Sequence, residues 1–496
     1  MSSDGGPTVA VKLFIDKEKK RVLFAESDKE FVDVLFSFLT LPLGTIVRLL
    51  GKQSQIGCLD ELYKSVETLN EDHFQTKECK AMLLSPVNAA AFHLERLKVK
   101  FDDTNQSGFY SCAHRQFISV NCCEHGCLSI LWKCPPHDLV TVGSYEDGVF
   151  VKHGPKYIVT DDLQVVPAST GLVFSLLDRF GLQDHAKLEE KIVELGANKI
   201  TNLLKNVLMT KKPLTGLCFD VSISEDAIHF EQLPEKLCKE AGDTKPLLNA
   251  IKIRLVHTKD RASVLYAEVG GDFVDVLLGL LCVPLGSIIR TYGEWSPRGS
   301  IDGLYRSIDG SARTCMIQEC QTLLLAPKLA PFFGCSRTVL QAEEMNPRSV
   351  QFRCFKCRAV AGEYPHCCNC SYFPKNSTVD ESNTKTTGML HDDLTAFLKR
   401  DSDNDDHKVY VKGMLHEDID KAYVKGGLRK FLVTSDLRVL DFTLTNTLQV
   451  MRAAKIPKEK LVEKELNLDK TQVLKLLRAG MLTRDALSSL LLPHKK

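Results

Sequence analysis

The strongest constraint on this chain is a repeat within its own sequence. Residues 31–35, Phe-Val-Asp-Val-Leu, return unchanged 242 positions later at 273–277. The same offset relates residues 59–66 to 301–308, whereas an offset of 274 relates 157–165 to 431–439. The second copy therefore carries about thirty extra residues in its middle. Self-similarity over this distance predicts two tandem units of one fold.

The repeat sets the expected domain boundaries. We predict a disordered amino terminus over 1–8 and a first repeat over 9–238. A linker is expected over 239–248, where glycine, proline and charged residues cluster, and a second repeat follows over 249–496.

Each repeat is expected to contain smaller segments. The first repeat has a cysteine-rich segment at 109–134 and a predicted helical tail at 169–219. The second has a predicted zinc knuckle at 352–373 and a predicted mobile insertion at 374–408, whose polar composition buries little. Its helical tail is predicted at 445–492.

Both repeats open with the pattern of a β-hairpin followed by a helix. Apolar and polar residues alternate over 9–15, a charged turn follows, and the apolar pattern resumes at 21–25. Positions 31, 34, 35, 38 and 39 are apolar, which is the spacing of one helix face. In the tail, Leu188, Ile192 and Leu195 are also interpreted as helical. These patterns predict an α+β fold in each unit, a small sheet with packed helices.

Composition limits the classes of function. Lys and Arg number 64 against 63 Asp and Glu, so no overall charge draws the chain to nucleic acid or to a membrane. The absence of a long apolar run or a signal-like start predicts a cytoplasmic or nuclear protein with no membrane association. Its 18 cysteines are then expected to be reduced. Those outside the two clusters are predicted to pack as small apolar residues: Cys58, Cys79, Cys134, Cys218, Cys238, Cys282, Cys315, Cys320 and Cys335.

Four segments of the sequence point to a known family: the hairpin–helix opening Val-Lys-Leu-Phe-Ile-Asp at 11–16, the Leu-Pro-Leu-Gly turn at 41–44, the Leu-Tyr-Lys-Ser segment and the Tyr-Ile-Val-Thr-Asp-Asp-Leu run at 157–163. Together they resemble a family catalogued as domain of unknown function 674. The resemblance covers nearly all of both repeats. It implies a land-plant protein, often with tandem copies of the unit and a cysteine-rich segment within each. It implies no established reaction.

The cysteine-rich segment of the second repeat has the spacing of a zinc site. Cys354, Cys357, Cys367 and Cys370 form CxxC-x9-CxxC, which can place four thiolates tetrahedrally around Zn²⁺. Four buried thiols without metal are the alternative interpretation. Such a four-cysteine site is closed to substrate, so it would be structural.

The first repeat departs from this pattern, because Arg115 stands where Cys357 would align. A Cys3His site can still be drawn from Cys112, His114, Cys122 (or Cys123) and Cys127. A loop without metal remains the alternative for this segment.

Two further features concern function. Arg353, Lys356 and Arg358 flank the first knuckle with aromatic residues between them, a combination that single-stranded nucleic acid can use. The paired acids Asp161 and Asp162 follow an apolar run, and we interpret them as turn or helix-cap residues rather than as a catalytic pair.

No phosphate-binding loop, dinucleotide fingerprint, zinc-protease motif or nucleophile elbow occurs in the sequence. We therefore predict a non-catalytic interaction or scaffold protein with structural zinc and protein partners. Two alternatives stay open: nucleic-acid binding through the knuckle rim, and an enzyme with an unrecognised pocket. An interaction protein should show an exposed apolar patch, and an enzyme should show a concave cluster of titratable groups.

Overall fold

A computed structural model of the chain describes residues 6–75, 77–102, 109–112, 117–119, 129–132, 147–154, 156–181, 188–219, 250–260, 263–295, 299–330, 340, 342–343, 350–353, 360–361 and 422–492. Its strands are β1 (Val9–Asp16), β2 (Arg21–Ser27), β3 (Phe109–Cys112), β4 (Phe117–Ser119), β5 (Ser129–Trp132), β6 (Tyr157–Thr160), β7 (Val165–Pro167), β8 (Leu188–Leu195), β9 (Ile251–Thr258), β10 (Val264–Gly270), β11 (Val350–Arg353), β12 (Val360–Ala361), β13 (Lys430–Thr434), β14 (Val439–Asp441) and β15 (Leu461–Leu468).

In the described parts of both repeats, four or more α-helices follow the opening hairpin, and further helices follow the later strands. They are α1 (Lys29–Ser37), α2 (Leu43–Leu49), α3 (Leu59–Thr68), α4 (Lys77–Leu84), α5 (Ala91–Leu94), α6 (Thr170–Phe180), α7 (Ala197–Met209), α8 (Pro213–Phe219), α9 (Gly271–Gly279), α10 (Leu285–Tyr292), α11 (Ile301–Asp309), α12 (Gln318–Leu325), α13 (Leu444–Ala454), α14 (Lys470–Leu482) and α15 (Ala486–Leu491). None of the described helices is long and apolar enough to cross a membrane.

The first repeat contributes a five-stranded antiparallel sheet in the order β7-β6-β2-β1-β8. β1 and β2 pair across the predicted charged turn, with Val11 opposite Ser27 and Phe14 opposite Phe24. Alternate residues of β1 are buried at its start, as expected for a strand with one face on the core. The predicted hairpin is therefore confirmed.

The second repeat contributes a sheet with the same order at the matching positions, β14-β13-β10-β9-β15. An outer helix covers one face of each sheet. In the first, Leu176 and Leu177 of α6 pack on a cluster that includes Phe24. In the second, Val450 of α13 packs on a cluster that includes Tyr266. Helix α1 contacts β1 and β2, and helix α9 contacts β10 and β13, so the fold is mixed α+β, as the sequence predicts.

One part of the predicted helical tail is wrong. Leu188, Ile192 and Leu195 lie in β8, which pairs along its whole length with β1. Leu461 at the matching position likewise begins β15, which pairs with β9. Both are edge strands with mostly exposed side chains, so their few apolar residues give no clear two-residue alternation. Pairing with the distant first strand of each repeat decides the conformation.

The two repeats meet at a reciprocal backbone bridge beside the two matching prolines. The amide of Leu43 donates to the carbonyl of Val283 at 3.0 Å, and the amide of Leu285 donates to the carbonyl of Leu41 at 2.9 Å. Proline at the start of α2 and of α10 cannot continue the preceding helical turn. The chain is therefore extended at this point in both repeats, and the two extended stretches pair.

Helices α3 and α11 are exchanged between the repeats, in the sense that each contacts the sheet of the other repeat. The hydroxyl of Ser65 in α3 accepts the amide of Val439 in β14 at 2.8 Å. The hydroxyl of Ser307 in α11 accepts the amide of Val165 in β7 at 2.9 Å. Both serines are buried. Each repeat therefore places a helix against the edge strand of the other repeat's sheet.

The chain divides into two compact units, and both sheets described above belong to the larger one. The smaller unit combines Ser107–Pro135 with Asn346–Lys421. Its five short strands are antiparallel in the order β12-β11-β5-β3-β4. Residues from both sequence repeats thus occur in each unit. The domain boundaries given from the sequence remain a prediction.

Candidate functional site

The small five-stranded sheet is built from the two cysteine-rich segments. β5 of the first repeat pairs with β11 of the second, so the segments share one sheet. Ser129 of β5 lies opposite Cys112 on one side and opposite Arg353 on the other. Cys112 and Arg353 are therefore at the same end of the sheet.

Most predicted zinc ligands lie outside the described residues. Cys112 is the last residue of β3, and Arg353 is the last residue of β11. The remaining predicted site residues lie outside the described residues: Cys354, Cys357, Cys367, Cys370, His114, Cys122 and Cys127, together with Lys356 and Arg358. Within the part of the chain that the structure describes, no group of three or more His, Cys, Asp or Glu side chains could hold a metal ion. The zinc site stays a prediction.

The second repeat exposes an apolar surface at the start of its outer helix, which we call the outer patch and define as Leu428, Phe442, Leu444 and Leu448. Leu444 is 83% exposed, Leu448 48% and Phe442 42%, and Leu428 is fully exposed. Leu444 and Leu448 are one turn apart on α13. The amide of Phe442 donates to the carbonyl of Lys430 at 3.4 Å, which keeps the chain after β14 beside the start of β13.

Positive charge borders the outer patch. The ammonium of Lys430 lies 5.8 Å from the centre of the Phe442 ring. The neighbouring Arg429 donates from Nη1 to the carbonyl of Asp72 at 2.6 Å, so its guanidinium is directed to the first repeat. An apolar centre with a cationic edge is a typical composition for a protein-binding surface.

The matching surface of the first repeat is less apolar. Ala168 and Thr170 occupy the positions of Phe442 and Leu444, and only Phe174, which is 60% exposed, matches Leu448. Sequence reasoning did not locate the outer patch, because an apolar residue on a helix has the same spacing whether it is buried or exposed. The usable signal was the difference between the repeats, since a core position should stay apolar in both.

The most deeply buried acids serve the backbone. The carboxylate of Asp33 in α1 accepts the amides of Val149, Phe150 and Val151 at 2.7, 2.8 and 3.2 Å. Burial raises the pKa of Asp33 to about 6, although these three amides act in the opposite direction. Asp33 therefore clamps the segment before β6 onto α1.

The second repeat has the same clamp. Asp275 in α9 matches Asp33 at the 242 offset and accepts the amides of Tyr423 and Val424 at 2.6 and 3.1 Å. The clamp persists although Gly271 and Asp272 replace Lys29 and Glu30 on the first turn of the helix. A carboxylate that accepts backbone amides at the matching position of both repeats has a structural role.

The raised pKa of Asp33 predicts a dependence of stability on pH. The folded chain binds this proton more tightly than the unfolded chain, whose carboxyl has a pKa near 3.8, so the contribution is full below that value and is lost as pH rises through about 6. We expect the difference in unfolding free energy between the native chain and Asp33→Asn to fall by about 2 kcal/mol between pH 4 and pH 7. Urea titrations of both proteins across this range measure it. A constant difference would contradict the assignment.

The paired acids Asp161 and Asp162 take the predicted structural role. Asp161 accepts the amides of Leu214 and Thr215 at 2.9 and 3.0 Å, and the Thr215 hydroxyl at 2.6 Å. These amides belong to the first turn of α8, so Asp161 caps that helix. Ser435 stands at the matching position, where its hydroxyl accepts the amide of Ser488 in α15 at 3.2 Å.

Three of the cysteines outside the clusters are buried, as predicted: Cys58, Cys282 and Cys320. Burial raises the pKa of each of these thiols to about 12. They are therefore protonated and poor nucleophiles. Cys79, Cys218 and Cys315 are partly exposed, so for them the prediction of apolar packing holds less well.

Comparison with known families identifies the chain at the level of its sequence family. A family model described as "Protein of unknown function (DUF674)" matches residues 5–404 and 316–496. The chain belongs to this family. The resemblance seen in its hairpin, turn and Tyr-Ile-Val-Thr segments is thereby confirmed. No curated protein and no solved structure matches it.

Membership of the DUF674 family comes with no activity, so function must be argued from the molecule. The two matches of this DUF674 protein overlap over 316–404 and together reach from residue 5 to the last residue. Both sheets, both clamps and the outer patch lie within the matched range. The features described above therefore belong to the DUF674 region itself.

Proposed function

We propose that the chain is a non-catalytic interaction protein of the plant cytoplasm or nucleus, which binds a protein partner through the outer patch. The exposure of Leu428, Phe442, Leu444 and Leu448 is the observation that carries the proposal. Exposed large apolar side chains that lie together favour association, because contact removes their surface from water. The bordering Lys430 favours a partner with a carboxylate beside its apolar contact residues.

The engagement of the buried acids supports this choice over catalysis. Asp33, Asp275 and Asp161 accept backbone amides, and two of the three do so at matching positions of both repeats. A general acid or base must be able to reach a substrate proton. Acids that hold the backbone in place are poorly suited to that role.

Substitution within the outer patch tests the proposal. We expect the full chain with Leu444→Glu and Leu448→Glu to capture its partner about tenfold less or worse, since two central apolar contacts are replaced by charge. Crosslinking in cells followed by quantitative mass spectrometry measures the capture. The melting temperature should change little, because both side chains are exposed.

The matched control carries Thr170→Glu and Phe174→Glu at the corresponding positions of α6. It should retain the partner that the α13 variant loses. Equal capture by the native chain and both variants would overturn the assignment of the outer patch.

We also propose a structural zinc ion bound by Cys354, Cys357, Cys367 and Cys370. The CxxC-x9-CxxC spacing supports it. The strand pairing supports it further, since Ser129 lies between Cys112 and Arg353, the residue before Cys354. The first cysteine of each segment therefore belongs to, or directly follows, a strand of one sheet. A second, irregular site would use Cys112, His114, Cys122 and Cys127.

Metal content tests the zinc proposal. We expect one zinc per chain from the second-repeat site, and two if the irregular site also binds, by plasma mass spectrometry on protein purified without added metal. Cys354→Ser with Cys367→Ser should remove one zinc and lower the melting temperature. Cys134→Ser, which changes a cysteine outside the clusters, should do neither. A chain without zinc would contradict the proposal.

A further inference from the structure

A small cavity in the first repeat is lined by charged side chains that the proposed interaction does not use. Its volume is about 220 Å³, and it lies between α1, the segment after α5 and the segment before β6. Clefts that hold drug-sized ligands measure roughly 300–1,000 Å³, so this one suits a smaller molecule. The titratable side chains that line it are Lys29, Glu30, Asp33, Arg96, Lys98 and Asp147.

We propose that this cavity binds a small anion, whose acidic oxygens are held by Arg96 and Lys98. The two cations are two residues apart in a stretch of alternating burial, where Leu97 and Val99 are buried at 6% and 1% exposure. Both cationic side chains line the cavity. The buried Leu97 and Val99 anchor this segment on the core.

The guanidinium of Arg96 is held across the cavity. Its Nη2 donates to the carbonyl of Gly148 at 3.4 Å, a long hydrogen bond that spans from the segment after α5 to the segment before β6. Guanidinium groups carry five donors, so one such bond leaves capacity for a bound carboxylate or phosphate. Arg96 is positioned by the fold rather than by a ligand.

Two of the three carboxylates in the lining are directed to backbone amides. Asp33 accepts three of them, as described above, and Asp147 accepts the amide of His153 at 2.8 Å. These hydrogen bonds occupy oxygens of both acids but leave their charge in place. The lining holds three acids and three cations, and the donors of Arg96 and Lys98 are the groups in it that suit a bound anion.

Comparison of the two repeats shows which residue of the cavity lining the clamp does not need. Asp275 performs the clamp in the second repeat with Gly271 where the first repeat has Lys29. The cation at this position is therefore not needed to hold the segment before the third strand of the sheet.

Calorimetric titration of the full chain with inorganic phosphate, and separately with malonate, tests the proposal and distinguishes a phosphate from a carboxylate ligand. At low salt we expect at least one of them to bind with a dissociation constant below about 1 mM. Arg96→Gln with Lys98→Gln should weaken this binding by about tenfold or more, because each lost charge-assisted hydrogen bond contributes to affinity. The melting temperature without ligand confirms that the variant folds.

The control changes two exposed cations of the second repeat, Lys470→Gln and Arg484→Gln, which reduces the net charge equally. It should bind the anion as the native chain does. If Arg96→Gln with Lys98→Gln fails to fold, Lys98→Gln alone, at an exposed position, should still weaken binding. Absence of binding by both anions at about 10 mM, or equal weakening in the control, would overturn the proposal.

Discussion

Gly57→Ala is expected to lower the free energy of unfolding by at least about 4 kcal/mol. The backbone of Gly57 is in the left-handed region, with φ of +49°. A Cβ atom there would overlap the carbonyl oxygen of Gly480 and lie 2.6 Å from the carbonyl carbon of Met481. Both belong to α14 of the other repeat, so the clash would be with backbone that cannot rotate away. The hydrogen bond from the amide of Cys58 to Gly480, at 2.7 Å, would be lost with it.

Gly51→Ala provides the control for backbone strain alone. Gly51 has φ of +67°, but a Cβ atom at this position would meet no other atom within 4 Å. Its replacement should cost only about 1–2 kcal/mol, the usual penalty for a side chain in this conformation. Chemical denaturation of both variants gives the comparison. Equal losses would mean that the close approach of α14 is not a feature of the folded protein.

Cutting the chain between the repeats is expected to leave the two halves associated. The bridge of Leu43 with Val283 and of Leu285 with Leu41, and the exchanged contacts of Ser65 and Ser307, all cross from one repeat to the other. These buried contacts do not depend on the connecting peptide. A protease site inserted at 239–248 and cut in the folded protein should give fragments that elute together in size-exclusion chromatography and separate only in denaturant.

Ser65→Ala with Ser307→Ala tests whether the exchanged helices hold the halves together. Each substitution leaves a buried amide without its acceptor, which costs about 1–3 kcal/mol. The cut double variant should therefore dissociate at lower denaturant concentration than the cut native chain. Fragments of the native sequence that separate in buffer alone would contradict the reciprocal arrangement.

Local pattern was sufficient for much of the fold. The hairpins of both repeats and the helix after each hairpin follow from alternation and helical spacing over a few residues. The strand character of Leu188–Leu195 does not, because β1, which it joins, lies about 180 residues earlier. Sequence reasoning succeeded where the partners are close along the chain.

The contacts between repeats were beyond local reasoning for the same cause. Ser65 has the sequence context of an ordinary polar residue on a helix, yet its partner Val439 is 374 residues away. The outer patch was missed because an apolar helix position has the same letters whether it is buried or exposed. Comparison of Leu444 with Thr170 could have revealed it, since the two repeats share a fold but differ in what they display.

The exchange of helices between repeats has a consequence for how this architecture can arise and be maintained. A single repeat would leave the edge strand of its sheet without this helix contact. Two identical copies could supply the helix to each other with twofold symmetry. Joining the copies in one polypeptide makes their encounter unimolecular, so assembly no longer depends on the cellular abundance of the protein. It also frees each copy to diverge wherever the shared interface is not involved. Two divergences of this kind are Leu444, where the first repeat has Thr170, and Lys29, where the second repeat has Gly271.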